Sequence, residues 1–356
     1  MMEVIKKQFT ALSEYIRAFV KWLIIAAVVG AVGGVVGSVF HESIEYVTHL
    51  RVANNWLIIL LPVGGLLIAA LYNAFGKKGR IDTNRVIEAV QRDNNVPLIM
   101  APLIFVGTVI THLFGGSAGR EGAALQLGGS LGYNLGKLFK LNKNDMHIIV
   151  MSGMSAVFAA LFGTPLTAAF FAIEVISVGI IHYAALVPCL ISSIVAYQIA
   201  LIGFGISPVS FEIPQIAFSA EILLKVIVLA VLCALVSILF CTAIKKSEHY
   251  IKKLIPNAFL RAFAGGAAVV LLTVALQTTD YNGAGMDVVE AALHGNAKPW
   301  AFAVKIVFTA VTIAAGFKGG EIVPGFFIGS TFGCVAGSLL GIDPGFAAAI
   351  GFVALF

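Results

Sequence analysis

Apolar residues gather along this chain in long blocks separated by short polar connections, and the longer blocks approach the roughly 20 residues that a helix needs to cross a bilayer. Read in order, they predict helices near 18–40, 56–75, 97–114, 122–139, 147–162, 165–182, 184–204, 221–245, 259–277, 300–315, 323–341 and from 345 onward. The blocks at 147–162, 165–182 and 323–341 are short and broken by Gly or Pro, the pattern that marks a binding site in transporters. The first block lacks a small-residue cleavage site and is followed by many others, so it reads as a membrane helix and not a removable signal. Its glycines 30, 33, 34 and 37 form overlapping GxxxG pairs, which predict close helix packing.

Composition strengthens this picture. Of 356 residues, 59% are hydrophobic and 12% charged, against about 25% charged in a soluble domain, and the mean hydropathy is +0.98. The expected class is an all-α polytopic membrane protein. Basic residues cluster before the first block (Lys6, Lys7, Arg17, Lys21), between Phe75 and Pro97, at Lys137–Lys143 and at Lys245–Lys253, which places those connections and the N-terminus in the cytoplasm of a cell (inner) membrane protein. The connections at 205–221 and 278–297 carry mainly Glu212, Glu221, Asp280, Asp287 and Glu290 and face the other side. Basic clusters this short, beside spans, do not make a nucleic-acid surface. Cys189, Cys233, Cys241 and Cys334 lie in apolar blocks without CxxC spacing, so no metal is expected and they read as small buried hydrophobes. There is no Walker sequence, HExxH or GxSxG, so ATP drive and hydrolase chemistry have no residues to stand on. The reading is therefore not an enzyme, with no cofactor.

One stretch carries the chemistry. Gly115-Gly-Ser-Ala-Gly-Arg-Glu-Gly-Ala123 places Glu121 among glycines between two apolar blocks, and an ionisable residue at membrane depth usually lines an ion or proton path. Small residues at a helix start let backbone N–H groups face an anion. Adding 200 takes Gly116, Gly119, Glu121, Gly129 and Ser130 to Gly316, Gly319, Glu321, Gly329 and Ser330, and with a slip of one Gly132 and Gly136 stand against Gly333 and Gly337, which predicts duplicated halves. Basic residues follow the first copy, while Gly341-Ile-Asp-Pro-Gly345 after the second has none, a contrast compatible with an inverted pair. The predicted organisation is a cytoplasmic segment 1–17, a first membrane repeat 18–204, a linker 205–220 and a second repeat 221–356. His112 and His182 read as packed helix residues, and Glu174 as a helix-end group.

Gly119-Arg-Glu-Gly-Ala123, followed by Gln126-Leu-Gly-Gly, resembles the GREGP signature of the CLC family of chloride channels and proton-coupled halide antiporters. Gly319-Gly-Glu-Ile-Val-Pro324 stands where that family has its GxFxP-type signature, and Gly163-Thr-Pro165 through Glu174 resembles the helix between them. The resemblance implies an inverted repeat of broken, tilted helices. It implies that Glu121 is the gating glutamate, occupying an anion site when ionised and swinging away when protonated. Gly119, Arg120, Gly122, Gly320, Glu321, Ile322 and Val323 fall on the anion-binding positions; Arg120 reads either as an anion ligand or as a salt bridge that sets the loop. Homodimerisation, with 184–204 and 221–245 as contact spans, is implied by the resemblance alone.

The departures matter as much. The family's GSGIP signature should lie near Gly76–Thr83, where its serine and proline are missing; Gly79, Ile81 and Asp82 are the selectivity candidates there. The inner glutamate of proton-coupled chloride members should fall at Val175. Glu321, two residues before Val323-Pro324, is similar to the fluoride/proton antiporter branch, which has Thr where this chain has Val323. The expectation is halide (chloride or fluoride) transport coupled to protons; the alternatives are a passive voltage- or pH-gated chloride channel of the same fold and a secondary transporter of an organic anion. Repeat alignment also leads us to expect further spans after Phe356, as if the C-terminus were truncated.

Overall fold

The computed structural model describes residues 2–75, 83–92, 95–177, 179–180, 182–214, 216–217 and 219–355, with the side chains of 2–12, 83–85, 89 and 92 left aside. Described in chain order, the helices are α1 (Met2–Ala53), α2 (Leu61–Phe75, entered through a 3-10 turn at Asn55–Leu60), α3 (Thr83–Arg92), α4 (Met100–Leu113), α5 (Glu121–Leu138), α6 (Lys143–Phe162) and α7 (Pro165–Glu174). They continue with α8 (Tyr183–Phe204), α9 (Ala220–Leu254), α10 (Ala258–Leu276), α11 (Met286–Leu293), α12 (Ala301–Ala315), α13 (Ile322–Leu340) and α14 (Pro344–Ala354). Among the described residues, seven helices are long and apolar enough to cross a membrane, and α4, α7, α12 and α14 are shorter apolar helices. This is a polytopic helical membrane fold.

Several boundaries differ from the sequence reading for local reasons. Helix α1 runs on to Ala53 and α9 to Leu254, because neither extension contains Gly or Pro to stop it; in α9 the polar end is supported by the Glu248–Lys252 pair one turn apart. Helix α7 stops at Glu174, not near 182, because Glu174 Oε1 turns back to accept the N–H of Gly179 at 2.7 Å, a glycine with φ +77°. That leaves Glu174 as a helix-end group. His182 precedes α8 at its N-cap position. Helices α3 and α11 were not expected, being too short and polar to register as apolar blocks. Three cysteines are buried, but Cys241 is exposed on α9.

The described residues form two compact units, each discontinuous in sequence. One draws on 1–42, 78–102 and 124–209, the other on 43–77, 103–123 and 210–356. In the first unit, glycines let helices touch backbone to backbone: a Cβ on Gly30 would lie 2.6 Å from Ser192 O, and one on Gly33 2.7 Å from Ala156 Cβ. Helix α5 packs on α6 by the same means, since a Cβ on Gly128 would sit 2.3 Å from Gly153 O and one on Gly132 2.4 Å from Ile149 O. The second unit repeats this contact. There α13 packs on α14, and a Cβ would lie 2.2 Å from Gly351 O at Gly329 and 2.4 Å from Ala347 O at Gly333. An added methyl in such a contact costs about 1–3 kcal/mol.

Candidate functional site

The site lies in the second unit, where the turn after α4 meets the turn after α12. Helix α4 is closed by Gly115 (φ +82°) and α12 by Gly316 (φ +99°), left-handed positions that only glycine takes without strain. Beyond them the two segments run antiparallel for one bridge: Gly119 N donates to Gly320 O at 2.7 Å and Gly320 N to Gly119 O at 2.8 Å. Both chains then turn into helices, α5 at Glu121 and α13 at Ile322.

Buried hydroxyls fasten the two turns together. Ser117 Oγ and Thr309 Oγ1 are 3.0 Å apart, Ser117 N donates to Thr312 Oγ1 at 3.1 Å, and Lys318 N donates to Thr111 Oγ1 at 3.1 Å. Asn282 Nδ2 donates to Gly115 O at 2.9 Å, satisfying a carbonyl at the end of α4.

Glu121 is 1% exposed. Its carboxylate lies against the backbone N–H groups of Arg120, Glu121 and Val323, with Val323 N donating to Oε2 at 3.4 Å and Oε1 left without a hydrogen bond. The Val323 bond is longer than the 2.7–3.2 Å usual for N–H···O. A cradle of N–H groups at two helix starts that loosely holds a carboxylate has the chemistry to hold a small anion instead. The glycines make the space: a Cβ on Gly119 would lie 2.2 Å from Glu121 Oε2, and one on Gly320 2.9 Å from that atom and 2.8 Å from Gly122 N.

The predicted residues thus divide. Gly119, Glu121, Gly122, Gly320 and Val323 come together; Ile322 opens α13 beside them. The half-buried Arg120 lies within electrostatic reach of Glu121 and Glu45. Glu321 is exposed, stands at the N-cap of α13 without a side-chain cap bond, and senses the charge of Glu248. Gly79, Ile81 and Asp82 lie outside the described residues.

The structural register also corrects the repeat. The bridge pairs 119 with 320, the helices start at 121 and 322, and the packing glycines 128 and 132 recur at 329 and 333. The offset of 201 read at Gly132 and Gly136 holds through the turns as well, in place of 200 there, so Glu121 corresponds to Ile322 and Glu321 to Arg120. Helix starts and glycine contacts fix this register, whereas identical letters in a glycine-rich text slip by one.

The sequence reading passed over Lys305. Its ammonium is wholly buried and donates to Tyr281 O at 3.2 Å and Gly283 O at 2.7 Å, 4.9 Å from the centre of the Phe327 ring. A single lysine in the apolar block 300–315 was the available signal. His112 is packed as expected, with Nδ1 2.9 Å from Thr108 O.

The chain is similar to several known proteins. The family description "Voltage gated chloride channel" matches residues 64–356. A "Chloride/fluoride channel protein" of Pseudomonas syringae pv. tomato is 37% identical over 344 residues, covering 94% of this chain and 76% of that protein. An H(+)/Cl(−) exchange transporter of Vibrio campbellii is 25% identical, covering 94% and 78%. The crystal structure of a CLC-type fluoride/proton antiporter superimposes with a TM-score of 0.90 at 32% identity, covering 95% of this chain and 86% of that one.

Proposed function

The chain belongs to the voltage gated chloride channel family, and from that premise we propose that it exchanges a halide, fluoride or chloride, for protons across a membrane, with Glu121 as the gate. The observation that carries this reading is the Glu121 carboxylate seated in the N–H cradle of the two paired turns. Ionised, the carboxylate fills the cradle. Protonated, it gives up its charge-assisted bonds and leaves, and a halide takes the donors of Arg120, Gly122, Ile322 and Val323, with Gly119 and Gly320 keeping the space open. Returning ionised, it expels the anion. Proton and anion thus alternate at one place, which is what couples their fluxes. Glu321 contributes its backbone, and its exposed carboxylate stands at the approach. Gly79, Ile81 and Asp82 are proposed to bear on anion selectivity.

The fluoride side of the choice is supported by the likeness to the fluoride/proton antiporter. A tightly hydrated anion needs many donors, and the cradle supplies them from backbone, since Val323 has no side-chain donor. We read the chain as a transporter with no catalytic step, no ATP and no nucleic-acid partner. The N-terminus lies in the cytoplasm of an inner-membrane protein. A homodimer is supported by the apolar exposed residues of α8 and α9 (Val187, Ile194, Leu235, Ile238).

The test is efflux from liposomes loaded with fluoride or chloride, with a pH electrode outside. Wild type moves protons against the anion; Glu121→Gln moves anion without protons. Equal proton coupling in both would reject the gate. Anion flux with no proton movement in wild type would favour the passive channel, which the name of the Pseudomonas relative also suggests.

A further inference from the structure

The helix faces that join α2 to α10 also enclose a cavity. A Cβ on Gly65 would lie 2.8 Å from Ala262 O, and one on Gly266 2.8 Å from the backbone of Pro62, so the two helices meet there backbone to backbone. Ala69 and Tyr72 lie one and two turns on along that face of α2, and Ala258 two turns back along that face of α10. With Arg261, Gly316 and Lys318 they line a cavity of about 280 Å³. The halide mechanism makes no use of it.

Two cations line this cavity, and among the described residues no Asp or Glu does. Arg261 Nη1 donates to Ile255 O at 3.1 Å and to Pro256 O at 3.3 Å, which ties the guanidinium to the loop that opens α10. Its Nε is buried without a hydrogen bond. The stem of Lys318 passes over Gly107, where a Cβ would lie 2.9 Å from Lys318 Cγ, and its ammonium stands 4.2 Å from the centre of the Tyr72 ring. Tyr72 Oη is likewise buried and makes no hydrogen bond. Buried polar atoms ordinarily have a partner, and both of these can donate. Two cations with two unanswered donors have the chemistry to hold a negatively charged oxygen acid. The donors are spread over two helices and a turn, too widely for one monatomic ion to touch them all.

The place of the cavity indicates the occupant. It sits at the end of α2 and the start of α10, the side that the basic connections after Phe75 and at Lys245–Lys253 assign to the cytoplasm. Leu67 and Phe75 of α2 and Phe259, Leu260 and Phe263 of α10 are exposed and apolar, a surface suited to acyl chains. Basic pockets between membrane helices on the cytoplasmic side hold the headgroups of anionic lipids. We propose that Arg261, Lys318 and Tyr72 bind the phosphate of an anionic phospholipid whose chains lie along α2 and α10. Bound there, the phosphate ties Lys318, and with it the turn leading into α13, to the start of α10. The proposal rests on the membrane orientation drawn from the basic connections and not on Glu121 as gate.

The test is native mass spectrometry and thermal melting of the purified full-length chain in detergent, with phosphatidylglycerol, phosphatidylcholine or sodium phosphate added. Wild type retains phosphatidylglycerol and melts higher in its presence, because a ligand of the folded state stabilises that state; phosphatidylcholine and inorganic phosphate do neither. Arg261→Gln and Lys318→Gln each weaken retention roughly fivefold, the effect of one lost basic contact at a membrane surface, and Arg261→Lys keeps it. Ala69→Phe fills the cavity, leaves both charges in place and loses the lipid. Phosphatidylglycerol held as tightly by Arg261→Gln and Lys318→Gln as by wild type, or by Ala69→Phe, overturns the proposal. So does equal retention of phosphatidylcholine. Inorganic phosphate producing the same rise in melting would assign the pocket to a soluble anion and overturn the lipid. Should Arg261→Gln fail to fold without its bonds to the loop, Lys318→Gln and Ala69→Phe decide. Absence of proton coupling in wild type would reject antiport while leaving these outcomes as they are.

Discussion

The turns leading into α5 and α13 pair backbone to backbone, yet their glutamates end in opposite settings. Glu121 is the first residue of its helix, and its side chain folds back over N–H groups from both turns. Glu321 sits one structural position earlier, at the N-cap of α13 with φ −98° and ψ −8°, and its side chain is exposed. A shift of one residue at a helix start moves a side chain about 100° around the axis. That is enough to take a carboxylate out of the cradle. Resemblance between the two turns therefore does not make their acids equivalent; position relative to the helix start does.

The strongest way to break this comparison is to neutralise each acid in turn. Glu121→Gln should reduce proton flux by about a hundredfold or more, the range for losing a positioned proton-transfer group. Glu321→Gln should leave proton coupling intact and change anion flux by less than about threefold, roughly what a screened exposed charge contributes. Proton-coupled flux in liposomes checks both, and similar losses would erase the distinction.

Glycines sharpen it next. Gly119→Ala should collide with the Glu121 carboxylate and reduce transport about tenfold or more, since overpacking of about 1–3 kcal/mol falls on the cradle itself. Gly316→Ala meets nothing within 4 Å but is held at φ +99°. It should cost about 1–2 kcal/mol of stability with transport per folded molecule unchanged. Melting and flux measured on both separate a lost site from a strained turn.

The smallest effect lies outside the membrane. Partial burial pushes the Asp280 carboxyl up, but the Lys298 ammonium at 2.8 Å, with Thr278, outweighs this and holds it below the usual carboxylate range. With the folded-state value depressed, its stabilisation is present above the unfolded carboxylate range and is lost as pH falls through the folded value. Both partners are substantially exposed, so Asp280→Asn should cost less than about 1 kcal/mol. The gap in Tm between variant and wild type should close in acid and in high salt.

Much of this was legible along the chain. The apolar blocks located the helices longer than three turns, and Gly119-Arg-Glu-Gly122 marked the site because a carboxylate among glycines at membrane depth has few other uses. The glycines of the first block announced a packing face, and Gly30 and Gly33 use it. Helices α3 and α11 were not visible, since short mixed-polarity segments carry no strong periodic signal. Lys305 looked like a lone polar residue in an apolar block until Tyr281 and Gly283, more than twenty residues away, supplied its carbonyls.

By itself the sequence determined where the chain enters apolar surroundings, where it must turn, and which acid stands at a glycine-flanked helix start. These follow from local free energies: apolar transfer, backbone freedom at glycine and the cost of a buried charge. Only the tertiary structure decided that Gly119 meets Gly320, that the offset of 201 extends back through the turns, and that Glu121 is cradled while Glu321 is exposed. Those depend on which backbone donors from distant segments converge on one point. No local pattern encodes that convergence.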